Sequence, residues 1–71
     1  MTDHVYKIIE LTGTSRTSIE DAVNTAVVKA SNSLQNIRWV EVTEIRGNVT
    51  DGKVDHWQLT VKLGFTLITA D

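Results

Sequence analysis

Thr50-Asp51-Gly52-Lys53 lies between two long stretches of alternating apolar and polar residues, and it constrains the fold more than any other part of the chain. A two-residue hairpin loop in a type I′ turn needs positive φ at both central residues, which Asp-Gly supplies at little steric cost. Ile37 to Val49 and Val54 to Ile68 are therefore expected to pair as antiparallel strands. The turn also sets a register. Thr50 faces Lys53, and counting outward Ile45 faces Gln58, Thr43 faces Thr60, Glu41 faces Lys62 and Trp39 faces Gly64. A bulge near Gly47 would displace these pairs by one residue.

Hydrophobic alternation gives an independent check. Trp57, Leu59, Val61, Leu63, Phe65 and Leu67 are odd-numbered and apolar, whereas His56, Gln58, Thr60 and Lys62 between them are polar. The odd series marks the face that must be buried. Across the hairpin this puts Val40 and Val42 on the buried side, and Trp39, Glu41, Thr43 and Ile45 on the outer side. Upstream, "HVYKIIELTG" reads as a strand ended by Gly13, with Val5, Ile9 and Leu11 on one side and Tyr6, Ile8 and Glu10 on the other. "TSIEDAVNTAVVKASNSL" reads as a helix. Thr17 and Glu20 fit a capping box. Ile19, Ala22, Val23, Ala26, Val27, Ala30 and Leu34 make one apolar stripe whose alanines permit close approach to a sheet. The fold class is α+β: a single β-α-β-β domain over residues 1–71, with a three-stranded antiparallel sheet packed on one helix. The last strand is expected in the centre, since a crossover helix makes the first two strands parallel to each other.

A chain of 71 residues has little to bury, and domains of this size lean on disulfides, metals or partner subunits. There is no cysteine, and His4 and His56 are too few for an obvious zinc site. Self-association is the remaining aid. A net charge of −2 carries no electrostatic footprint for nucleic acid, and no apolar run is long enough to cross a membrane. The N-terminus lacks the basic and apolar regions of a signal peptide, so a cytoplasmic location is expected. Neither histidine stands at a recognisable spacing from a nucleophile, and no phosphate-binding glycine loop is present. Glu41 and Glu44 alternate faces in the expected register, which separates them as an acid–base pair. These residues offer binding surfaces and no catalytic constellation.

The outer face nevertheless carries Trp39. One reading makes it an anchor in a subunit interface, where tryptophan is favoured. The other makes it a stacking platform for a flat ligand, with Gly64 opposite leaving space. Gln58 can present a donor and an acceptor to a heterocycle edge, or stand simply solvated. The two lie six residues apart along the paired strands, about 20 Å at strand rise. A single planar ligand touching both therefore takes them from different chains. Arg46 is a candidate phosphate contact, or a solvated strand-end arginine.

"YKIIELTGTS", "RWVEVTEIRG" and "DGKVDHWQLTVKLGF", spaced around one helix, together resemble the dodecins, small flavin-binding proteins that assemble as hollow twelve-subunit spheres. The resemblance implies that Trp39 stacks on the flavin ring, that Gln58 hydrogen-bonds the ring's polar edge, and that Arg46 lies near a phosphate of FMN or coenzyme A. It further implies a homododecamer that stores flavin and is not an enzyme, with FMN the expected ligand and riboflavin an alternative. Bacterial members commonly carry arginine where this chain has Thr66, and an acidic residue where it has Arg38. A coenzyme-A-binding or purely structural shell is the rival expectation.

Overall fold

The computed structural model describes residues 4–67. Four elements follow one another: β1 (Tyr6–Ser15), α1 (Ile19–Ser31), β2 (Ile37–Thr50) and β3 (Lys53–Thr66). Both β1 and β2 run antiparallel to β3, which is central, in the order β1-β3-β2. The expected architecture holds. Ile68, expected to end the last strand, lies outside the described residues.

Several boundaries differ from expectation, among them the helix end, at Ser31 and not Leu34, and the start of β1, at Tyr6 and not His4. β1 continues past Gly13 to Ser15, because Gly13 is needed for the helix and not for a turn. A Cβ on Gly13 would lie 2.9 Å from the Ala26 methyl and strike the Ala22 carbonyl, so the helix crosses the strand where no side chain separates them. The helix cap also shifts by one residue. Ser18, not Thr17, is the N-cap, and its hydroxyl accepts from the Asp21 backbone N–H at 3.0 Å. Threonine, serine, glutamate and aspartate stand in consecutive pairs here, so the same capping pattern fits twice. Ser15 decides between them: its buried hydroxyl donates to Asp21 at 2.7 Å and accepts from the Thr17 backbone N–H at 2.9 Å.

The core is small. Ala22, Ala26 and Ala30 of the helix pack on Leu59, Val61 and Leu63 of β3, with Ile9, Leu11, Val23, Val27, Leu34, Ile37 and Trp57 partly buried around them. The helix sits over β1 and β3 and barely reaches β2. The chain measures 56 × 20 × 14 Å, and its radius of gyration of 14.9 Å exceeds the roughly 11 Å of a compact domain of this length.

The hairpin register is where expectation needs correcting. Asp51 and Gly52 have φ of 54° and 75°, as the tight turn requires, and Thr50 faces Lys53. A shift between Asn48 and Val49 then leaves Asp55 unpaired, and a second shift leaves Thr43 unpaired. Between these bulges Ile45 faces Leu59 and Arg46 faces Gln58, in place of the expected Ile45–Gln58 and Thr43–Thr60 pairs. Ile45 therefore belongs to the inner face. Glu44 and Arg46 turn outward, so Glu41 and Glu44 share a face after all. The two bulges cancel, and beyond Thr43 the expected pairs Glu41–Lys62 and Trp39–Gly64 are restored.

Candidate functional site

The outer face is built from the even positions of β1 and β3 and from β2 residues in the matching phase. From one end it carries Trp39 beside Gly64 and Ile8, then Glu41, Lys62 and Glu10, then Glu44, Thr60 and Thr12, and then Arg46, Gln58 and Thr14. Asn48 and His56 complete it near the turn.

Trp39 points away from the helix, as expected, but Gly64 does something different from leaving room for a ligand. A Cβ built on Gly64 would fall inside the Trp39 indole. The glycine thus clears the tryptophan itself, letting the indole lie across the backbone of β3. With one side held by the strand, the residue remains 37% exposed. A flat aromatic on a rigid sheet loses little side-chain freedom on binding and offers a π-face to another planar ring. A cleft of about 200 Å³ lined by Val27, Ile37, Arg38, Trp39 and Val40 runs from this position towards the helix.

Gln58 lies near the other end of the face, part-buried between Arg46 and Thr14. Six residues of extended β3 separate it from Gly64, so one chain does not bring Trp39 and Gln58 together. Arg46 shares Gln58's end of the face, where its guanidinium meets Glu44 at 2.6 Å. Both side chains are about half exposed, and such pairs contribute little to stability, so Glu44 restrains Arg46 without consuming its charge. Arg38 reaches across to Thr66, donating from Nε to Oγ1 at 3.1 Å. A guanidinium is thereby held near the C-terminal end of β3 although residue 66 itself is neutral.

A further group did not emerge from the sequence. Asp55, extruded by the bulge, accepts from Asn48 at 2.9 Å and from Thr50 at 3.0 Å. Its other close neighbour is His56 Nδ1, at 2.9 Å. The opposite ring nitrogen, Nε2, lies 3.2 Å from the Gln58 amide nitrogen. The Asn48 hydrogen bond, outweighing partial burial and helped by Thr50 and by the nearness of His56, holds the Asp55 carboxyl below the usual carboxylate range. A parity break was available as a signal: Val54 is even whereas the apolar series from Trp57 is odd, so one residue between them had to be extruded.

Comparison with known proteins bears on this arrangement. The family model described as Dodecin matches residues 5–68. A dodecin of Thermus thermophilus is 40% identical over 63 residues, covering 89% of this chain and 91% of that protein. Among solved structures, dodecin from Streptomyces coelicolor is 44% identical and superposes with a TM-score of 0.91, covering 99% of this chain and 100% of that one. A calcium dodecin from Mycobacterium tuberculosis, with a novel calcium-binding site, is 34% identical with a TM-score of 0.78, covering 94% of this chain and 96% of that one.

Proposed function

The chain belongs to the dodecin family, and on that premise we propose that it is a flavin-binding protein that stores and buffers FMN in an oligomeric shell of its own copies. The observation that supports this most is the Trp39 indole laid across Gly64 with its other side open. A tryptophan so held is a poor hydrophobic plug and a good stacking surface. Because one chain does not bring Trp39 and Gln58 together, the two serve this reading from different subunits around one ring, which ties ligand binding to assembly. Trp39 covers the ring face; Gln58 pairs with its polar edge; Arg46 and Arg38 are the cations available to a phosphate.

The bound group would supply photochemical and redox reactivity, and the residues are suited to suppressing it. Indole in contact with an isoalloxazine quenches its fluorescence. A ring covered on its face also has no room for a substrate, which argues for storage and against turnover.

Flavin-free protein, obtained by unfolding and refolding, tests the reading by fluorescence titration with FMN. The expected result is stoichiometric quenching near one flavin per chain. Stacking is worth about 1–3 kcal/mol per aromatic contact, so Trp39→Ala is expected to weaken binding by on the order of a hundredfold while remaining assembled. Unaltered FMN fluorescence on mixing would instead favour a coenzyme-A-binding or structural shell. FMN binding by Trp39→Ala as tight as the parent's would remove the platform.

A further inference from the structure

The outer face contains a polar relay that ends on Gln58, and its donor order is fixed by chemistry. Asp55 is ionised and therefore only accepts, so the nitrogen it faces, Nδ1 of His56, carries the hydrogen. In a neutral imidazole the second nitrogen is then an acceptor. Nε2 sits 3.2 Å from the Gln58 amide nitrogen, so that amide donates to it. A donation to His56 uses one of the two amide hydrogens. The other, beside the carbonyl oxygen, remains for a ligand. Gln58 is thus restrained against turning over, and its acceptor and donor are offered in one order only.

We propose that His56 is a positioning residue for ligand recognition, acting through Gln58: with Asp55 it locks the amide so that a cyclic imide edge, with an N–H between two carbonyls, is read in a single orientation. This deepens the flavin reading above and rests on it, since the polar edge of the isoalloxazine is such an imide. An amide free to turn over would offer both orders and lose affinity to the entropy of choosing between them. The imidazole is well placed to impose the order because it is itself restrained. Only 25% of its side-chain surface is exposed, and Asp55 is held in turn by Asn48 and Thr50.

Protonation reverses the logic. A hydrogen on Nε2 makes that nitrogen a donor, so the Gln58 amide must present its oxygen to His56 and its nitrogen elsewhere. Other charged groups near the ring are Arg16 of the β1–α1 connection, which lines a cleft with Thr14, Ser15 and His56, and the Glu44–Arg46 pair beside Gln58 on β2.

The test uses assembled parent, His56→Phe and His56→Gln proteins, titrated with riboflavin and with 3-methylriboflavin, in which the imide hydrogen is replaced. Riboflavin is chosen because it has no phosphate to titrate. One hydrogen bond of ordinary strength is at stake, so His56→Phe is expected to bind riboflavin about tenfold more weakly than the parent. His56→Gln, which keeps an acceptor, is expected to recover most of that loss. With 3-methylriboflavin the parent and His56→Phe are expected to bind alike, because the edge that the amide reads is gone. Equal riboflavin affinity for parent and His56→Phe would overturn the inference while leaving the flavin site standing. An equal loss for both flavins would also overturn it, by making His56 a packing group. A parent that binds neither flavin would overturn the flavin reading and this inference together.

Discussion

β3 and β2 are hydrogen-bonded side by side and turn the same kind of residue to the same side of the sheet, yet their fates differ. Leu59, Val61 and Leu63 of β3 are fully buried, whereas Val40, Val42 and Ile45 of β2 are 40%, 41% and 56% exposed. The cause is the helix, which covers β1 and β3 and stops short of β2. Alternation in a sequence therefore states which face must be dry. It does not state which molecule dries it. On β3 that role falls to α1, and on β2 little of the described chain takes it. The outer face adds its own contrast, since there an aromatic is exposed although a glycine has been provided for it to lie on.

The strongest way to break this comparison is a charge on the uncovered flank. Val42→Lys leaves the helix-covered core untouched but puts an ammonium on the apolar flank that the helix leaves exposed. It is expected to abolish assembly, read as a fall to monomer or small oligomer in sedimentation. An unchanged particle would mean that the flank of β2 faces solvent or an internal cavity. A milder pair of substitutions compares the strands directly, because Val40 and Leu63 face each other across the hairpin. Leu63→Ala opens a cavity in the chain's own core and is expected to cost about 2–5 kcal/mol in denaturant unfolding. Val40→Ala is expected to cost less, and to depend on protein concentration where a second copy covers this flank. Similar, concentration-independent losses at both positions would erase the distinction.

Much of this layout is legible in the residues. Asp51-Gly52 marks the turn, the odd series from Trp57 to Leu63 marks the core face, and the alanines at 22, 26 and 30 mark where the helix comes close. Trp39 is read as outward-facing because the two bulges cancel before the count reaches it. The middle of the hairpin is misread for a physical reason: a bulge needs no particular residue type, only one extra residue in one strand. Its trace is the phase of the apolar residues. On β2 they fall at 40 and 42 and then at 45, with Val49 following in the odd phase, which requires an extruded residue at 43 or 44. The Asp55–His56–Gln58 relay is harder to see, because the bulge itself brings its first member beside the second. The sequence places Trp39 and Gln58 on one face but leaves open what lies across from them. That information belongs to the assembly.

The smallest expected effect concerns the bulge that sets the phase of β2 and so decides that Ile45 turns inward. Asp55 is its extruded residue, and Asn48 is the largest cause of its depressed pKa. A carboxyl more acidic in the folded state than its ordinary 3.8 binds fewer protons folded than unfolded. Its stabilising contribution is therefore complete above 3.8 and is lost as pH falls through the lower folded value. Asn48→Ala removes the main hydrogen bond and with it most of that contribution. The gap between parent and Asn48→Ala in chemical denaturation is expected to be modest and constant from pH 7 to about 5, then to narrow under stronger acid. Comparing the two proteins at each pH cancels the protonation of the other carboxylates. A gap that persisted unchanged at the most acid pH would show that Asn48 holds the strand pairing itself, with Asp55 incidental. The inward phase of Ile45 would then depend on the backbone of β2 and not on the carboxylate that β3 extrudes.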